Sequence, residues 1–354
     1  MSFTHRITPE DIRRADTNDM AVHIARMAQH LREAVSMFNE AWSAGAKQLA
    51  TPKGIIVLGM GGSAIGGDLL RAYLPSLPIP FVVNRSYDLP AGANETMLVI
   101  ASSYSGNTEE TLSSFEQAVA KKIPIVCLTT GGTLAERATA LGFPLFSSKP
   151  GMQPRAALAF SFVPILLLLE KLGLTQGEEA KIERTATLLE KLAERYGPNH
   201  LDDSNLAFKQ AGDLLHRIPV IYAPQDYEAV ALRWRGQIHE NAKHVAFSNV
   251  LPEMNHNELE GWSHPIDLVQ HFSVVLLRTS DEHERISRRY EAIHDIFRSK
   301  QVDVFEISAE GETRLERLFS LIALADWTSL YMALFSGLDP TAIATIEAFK
   351  QKMR

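Results

Sequence analysis

The sequence predicts an α/β protein of two domains, each a parallel sheet flanked by helices. Three observations carry this. Short apolar runs alternate with helical stretches from residue 54 to about residue 140, the pattern that lays parallel strands beside helices. Four such runs recur in the same order from Ile218 onward. Each half then closes on a strongly apolar helix followed by Gly-Leu, at Gly173-Leu174 and at Gly337-Leu338. The length of 354 residues accommodates about two domains at roughly 100–200 residues each. We read the repeat as a duplication with weak sequence identity between its halves.

The first 50 residues read as helix. Ile12, Met20, Ile24, Met27, Leu31, Val35, Phe38 and Trp42 recur at helical spacing, and Gly45 and Pro52 close the segment. Gly54–Leu58 is a strand, followed by the glycine turn Gly59–Ser63 and a helix over Gly67–Leu74. Phe81–Val83, Thr96–Ala101 and Ile123–Leu128 are the next strands. Ser102–Thr108 leads into a helix over Glu109–Ala120, and Thr129–Thr133 leads into another. The apolar run Ala156–Leu169 is 14 residues and holds Ser161 and Pro164. A membrane span needs about 18 or more, so this is a buried helix and no membrane partner is expected. The polar helical stretch Gln176–Arg195, followed by Tyr196-Gly-Pro-Asn-His200, is the linker candidate. The domains are thus an N-terminal helical segment (1–50), a first α/β domain (51–175), a helical linker (176–205) and a second α/β domain with a C-terminal helix (206–354). In that second domain Ile218–Tyr222, His244–Phe247, Phe272–Arg278 and Val302–Ile307 are strands. Tyr227–Lys243, Asp281–Arg298, Arg314–Phe335 and Thr341–Met353 are helices.

Composition narrows the function. Lys plus Arg is 35 against 42 Asp plus Glu, a formal charge of −7, so no basic face favours nucleic acid. The single cysteine, Cys127, excludes an internal disulfide framework and a multi-cysteine zinc site and fits a reducing cytoplasm. The opening MSFTHRITPEDIRRAD has no apolar core, so no secretory signal is expected.

Two loops could carry chemistry. Gly59-Met-Gly-Gly-Ser-Ala-Ile-Gly departs from the dinucleotide fingerprint G-x-G-x-x-G, with Ala64 in place of the third glycine. No Gly-Lys-Ser/Thr follows, so it is not a nucleotide P-loop. What remains is a tight turn at a helix N-terminus, with Gly62 and Ser63, suited to an anion. Ser102-Ser-Tyr-Ser-Gly-Asn-Thr-Glu-Glu opens the helix after the third strand. Capping alone would use Ser105 or Thr108; it does not need Ser103, Ser105 and Thr108 together. Hydroxyl-rich loops at the carboxyl ends of neighbouring strands converge in such sheets, so these loops form one phosphate site.

GMGGSAIGGD and SYSGNTEET resemble the sugar isomerase (SIS) domain. Four further motifs follow: Gln153-Pro-Arg-Ala156, Arg233–Lys243 (RWRGQIHENAK), Asn255–Trp262 (NHNELEGW) and Asp339-Pro-Thr341. Together they resemble the bifunctional phosphoglucose/phosphomannose isomerases of archaeal and bacterial type, over about residues 50–350. That resemblance implies two SIS-type domains and interconversion of glucose and mannose 6-phosphates with fructose 6-phosphate through a cis-enediol, without metal or other cofactor. It implies Glu240 as the proton carrier, His256 and Lys350 in ring opening, and Arg155 beside the enediolate. Thr341, with Thr345 as rival, leaves room for either C2 epimer. It also implies a homodimer in which His256 is shared across the interface. Two other classes fit less well. A non-catalytic sugar-phosphate regulator would leave Glu240 and His256 idle. A glutamine-dependent aminotransferase would need an N-terminal nucleophilic cysteine, whereas Cys127 lies in a strand. The chain is longer than compact archaeal members, and Trp234 and Arg235 vary the helix before Glu240.

Overall fold

A computed structural model describes residues 7–43 and 49–353. The chain divides into two compact units, one spanning Met27–Thr187 and the other joining Met1–Arg26 to Leu188–Arg354. The predicted opening helix is split into α1 (Pro9–Ala15), α2 (Met20–Ala25) and α3 (Met27–Ser43). Asp16 is the reason: its carboxylate accepts the N–H groups of Met20 and Ala21 at 2.8 and 2.7 Å. It therefore stands just past the end of α1 and satisfies the open first turn of α2. α1 and α2 group with the second sheet and α3 with the first. Gly45 lies outside the described residues.

The first sheet comprises β1 (Ile55–Leu58), β2 (Phe81–Asn84), β3 (Leu98–Ser102), β4 (Ile125–Thr129) and β5 (Leu145–Ser147), parallel and in the order β2-β1-β3-β4-β5. Every residue of β1, β3 and β4 is buried, as expected of parallel strands covered on both faces. β5 was not legible: it is three residues long and on the edge. Between the strands run α4 (Gly61–Tyr73), α5 (Glu109–Ala120) and α6 (Gly132–Leu141), followed by α7 (Leu158–Lys171) and α8 (Glu178–Tyr196). α4 begins six residues before the predicted start at Gly67, so Gly62 and Ser63 lie in its first turn.

The second unit holds α9 (Leu206–Leu214), β6 (Ile218–Pro224), α10 (Glu228–Ala242) and β7 (Phe247–Leu251). Then come α11 (Glu258–Gly261), α12 (Ile266–Val269), β8 (Phe272–Arg278), α13 (Glu284–Ser299), β9 (Asp303–Ser308), α14 (Arg314–Phe335) and α15 (Ala344–Met353). Its parallel strands run β7-β6-β8-β9. β7 starts at Phe247, where the predicted strand ended. Lys243 closes α10 with a positive φ of 53°, and the His244 ring lies 2.9 Å from the Val245 carbonyl and 3.2 Å from that of Leu215. His244–Ala246 is therefore a turn, and Ser248 and Asn249 hide the edge strand behind it.

The duplication is visible in detail. β6, β7, β8 and β9 repeat the order of β1, β2, β3 and β4. α7 and α14 also end in the same way. The Leu174 N–H donates to Leu169 O at 2.9 Å and the Gly173 N–H to Glu170 O at 2.9 Å. The Leu338 N–H donates to Ala333 O and the Gly337 N–H to Leu334 O, both at 3.0 Å. Both glycines have positive φ, 74° and 65°, which is the Schellman stop. Among described helices α14 alone is long and apolar enough to cross a membrane, but 94% of its apolar window is buried within the protein. It is the core helix of the second unit.

Candidate active site

In the first sheet the chain enters at β1, moves outward to β2 and returns on the other side of β1 as β3. The gap between β1 and β3 at their carboxyl ends is the switch point where such sheets bind ligands. Both predicted loops lie there. Gly61, with φ of +48°, turns the chain into α4, whose first N–H groups lack intrahelical partners. Ser63 Oγ accepts the Tyr104 N–H at 3.0 Å, tying the two loops together and leaving its own proton to donate. Ser103 Oγ and Thr108 Oγ1 are 2.9 Å apart. One hydroxyl donates to the other, so the pair keeps one proton to give. Thr108 stands at the N-cap of α5 without a capping bond; its hydroxyl faces Ser103 instead. Ser105 is exposed, and its Oγ accepts the Asn107 N–H at 3.2 Å.

Gly62 brings a further residue to this cradle. A Cβ added there would lie 2.6 Å from Pro154 O and 3.1 Å from Arg155 N. Only glycine lets the one-turn helix Pro154–Ala156 come that close. Arg155 is 4% exposed, a buried cation beside these two loops. Sequence reasoning passed over Tyr104, although it sits inside the hydroxyl motif. Its phenol donates to Lys149 O at 2.9 Å and accepts the Met152 N–H at 3.0 Å, pinning the loop that leads to Arg155. Burial pushes that phenol above its ordinary value. A cleft opens here, lined among others by Ser63, Ser102, Tyr104, Thr129, Pro154 and Ser161.

The other predicted residues belong to the second unit. α10 lies on α14 through a polar ladder of residues four apart. Arg233 donates to both oxygens of Asp326 at 3.0 and 2.8 Å, Gln237 to Asp326 at 2.7 Å, and Asn241 to Ser329 at 2.9 Å. Glu240, one residue (about 100°) round the helix from Asn241, is half-buried. His256 ends a one-turn helix, Glu253–His256. Its ring is exposed and hydrogen-bonds none of the described residues. The loop beneath it is firmly held. Met254 is fully buried, Asn255 Oδ1 accepts from Arg289 at 3.2 Å, and Glu258 accepts from both Tyr222 and Asn249. Trp262 Nε1 donates to the Tyr222 hydroxyl at 3.1 Å. Burial, and then the Glu258 carboxylate, push the Tyr222 phenol far up, so it stays a neutral donor.

Thr341 is buried, and its N–H donates to Asp339 Oδ1 at 2.7 Å. Asp339 Oδ2 accepts from Thr17 at 3.0 Å, and Lys243 donates to the Asp339 carbonyl. Thr345 is exposed. Lys350 lies on α15, which buries none of its residues and exposes Ile346, Phe349 and Met353 by 40%, 62% and 58%. Thus Gly62, Ser63, Ser103, Ser105, Thr108 and Arg155 gather at one crest in the first unit. Glu240, His256, Thr341 and Lys350 are carried on separate elements of the second.

The SIS domain family matches residues 48–170, and the bacterial phospho-glucose isomerase C-terminal SIS domain matches residues 203–353. The bifunctional phosphoglucose/phosphomannose isomerase of Caldicellulosiruptor bescii is 44% identical over 301 residues, 84% of this chain and 89% of its own. The chain belongs to the bifunctional phosphoglucose/phosphomannose isomerase family. The family's Aquifex aeolicus member is 36% identical over 88% of this chain and 94% of its own. A D-glucosamine-6-phosphate 4-epimerase of Sulfolobus acidocaldarius is 32% identical over 64% of this chain and 69% of its own. The fold is shared more widely. A hypothetical protein of Thermus thermophilus matches with TM-score 0.75 at 14% identity, covering 98% of this chain and 93% of that one.

Proposed function

We propose that this protein interconverts glucose 6-phosphate and mannose 6-phosphate with fructose 6-phosphate through a cis-enediol. The observation that carries this reading is membership of the bifunctional family at 44% identity, together with a hydroxyl cradle at the switch point of the first SIS domain. We read residues 51–175 and 206–354 as the two SIS domains and 176–205 as the link between them.

In this reading the cradle holds the 6-phosphate through the hydroxyls of Ser63, Ser103, Ser105 and Thr108 and the open amides of α4. His256 and Lys350 move the proton that opens the sugar ring. The Glu240 carboxylate takes the proton from C2 and returns it at C1. The Arg155 guanidinium faces the enediolate oxygen as charge develops there. Rotation about C2–C3 presents either face of the enediol to Glu240, and Thr341 leaves room for both epimers. No redox or Lewis-acid step is required. We also propose a homodimer in which His256 serves the partner's site. The exposed His256 ring and the exposed apolar side chains of α15 support it. The lone Cys127, buried on β4 with its thiol pushed up to about 12 by burial, fits a reducing, cytoplasmic setting.

The test is a coupled assay on all three sugar phosphates with EDTA present, comparing wild type with Glu240→Gln. Turnover of both aldoses, collapsing about 10²–10⁴-fold in the variant, is expected. Full turnover in the variant would place the base elsewhere. Tight binding without turnover in the wild type would make the protein a sugar-phosphate sensor.

A further inference from the structure

The second sheet has its own switch point, between β6 and β8, and the loops there are differently furnished. Asp226 follows β6 and Asp281 follows β8, as Gly59–Ser63 follow β1 and Ser103–Thr108 follow β3. Arg314 opens α14 beside them. Its Nη2 donates to Asp226 Oδ2 at 2.8 Å and its Nη1 to Asp281 Oδ2 at 2.9 Å. Arg317 Nη2 lies 3.0 Å from the same Asp281 oxygen. The Tyr227 hydroxyl donates to Asp281 Oδ1 at 3.0 Å, and Arg314 stacks over the Tyr227 ring at 4.7 Å. Thr279, immediately after β8 as Ser103 is after β3, is 6% exposed. Its hydroxyl is directed at Asp281 and helps to hold that carboxyl below its ordinary value.

Two guanidiniums, a phenol and a buried hydroxyl converging at a switch point can hold a phosphate monoester. Here two carboxylates of the chain itself meet them. We propose that the second SIS domain carries a plugged counterpart of the phosphate cradle, in which Asp226 and Asp281 hold the place of a phosphate against Arg314 and Arg317. The charges balance, two against two, so the cluster is complete without a ligand. Burial alone would raise the Asp281 carboxyl, but the bonds from Arg317 and Tyr227 outweigh it and hold it below its ordinary value. Asp281 is therefore charged at neutral pH, and each chain takes one sugar phosphate, not two. Removing the carboxylates leaves two positive charges and a site for a phosphate dianion.

The inference rests on reading the Ser63–Thr108 loops as a phosphate cradle. Its readout is therefore the gain of a site, not the absolute number. Calorimetric titration with inorganic phosphate compares wild type, Asp226→Ala/Asp281→Ser, and that pair combined with Arg314→Ala. The double variant is expected to bind one more phosphate per chain than wild type, and the gain is lost with Arg314→Ala. Equal stoichiometry in wild type and a folded double variant overturns the proposal. So does a wild type that already takes two. A wild type that binds none counts against the cradle, while the gain in the variant is still scored separately. If the double variant does not fold, Asp226→Ala alone decides, because that side chain is 52% exposed. Phosphate at about 10 mM, acting by linkage, is then expected to raise its Tm by more than it raises that of wild type, and an equal rise overturns the proposal.

Discussion

At the carboxyl edge of the first sheet, the Ser103 and Thr108 hydroxyls share one bond and Ser63 accepts an amide, so protons remain to be given to a ligand. At the same edge of the second sheet, Asp281 accepts from Tyr227, Arg314 and Arg317, and its donors are consumed within the chain. The strand order is common to both, so the two edges differ in loop chemistry and not in topology. The same contrast appears on the helices that follow. α4 carries glycines that admit Pro154 and Ser161 at contact distance, whereas α10 carries Arg233, paired with Asp326 of α14, and about two turns further on Glu240. In the proposed reading, the first half binds the substrate and the second moves its protons.

The comparison breaks most visibly in kinetics. Glu240→Gln is expected to lower kcat by about 10²–10⁴ while KM for fructose 6-phosphate stays within a few-fold. Thr108→Val in the cradle is expected to do the reverse, raising KM about 10-fold at nearly unchanged kcat. Steady-state kinetics of both variants check the split. If both changed kcat alone, the division of labour between the halves would be lost.

Stability tests the scaffolds behind the two sites. Asp326→Ala removes the carboxylate that the buried Arg233 guanidinium meets, with a cost of about 3–5 kcal/mol. Urea unfolding measures it, and a cost under about 1 kcal/mol would mean the pair is solvated. Gly62→Ala pushes a methyl group to 2.6 Å from the Pro154 carbonyl oxygen, so the Pro154–Ala156 turn must move. About 1–3 kcal/mol of stability is expected to go, and turnover falls with it because Arg155 rides on that turn. Retained kcat despite the stability loss would detach Arg155 from the chemistry.

Legibility followed the same division. The buried strands β1, β3, β4, β6 and β8 are continuous apolar runs, and each was readable to within a few residues. Of the four edge strands, β2 and β9 were readable as well, but β5 is too short, and β7 interrupts its apolar residues with Ser248 and Asn249. The cradle was readable because hydroxyls and glycines are dense in two short loops. The plug was not, because Asp226, Asp281 and Arg314 are far apart in sequence and each alone reads as a solvated charge. Glu240 and His256 were visible only through resemblance, since nothing in a helical Glu or a loop His marks it locally. The break at Asp16 was missed because the apolar spacing on either side continues as if unbroken.

Titration sharpens the comparison with the smallest effect. Asp281 is held below its ordinary carboxyl value by its donors, so it binds fewer protons folded than unfolded just below its unfolded value. The stability it contributes is present above an unfolded value of about 3.9 and is lost as pH falls through the folded one. The Tm gap between wild type and Asp281→Asn is therefore expected to be constant from about pH 7 to 5 and to shrink below about pH 4. Ser103→Ala removes a hydroxyl that does not titrate, so its gap should be flat across the same range. A gap for Asp281→Asn that is equally flat would mean that its carboxyl titrates as it does in the unfolded chain. The donors around Asp281 would then add nothing to the stability of its charged form.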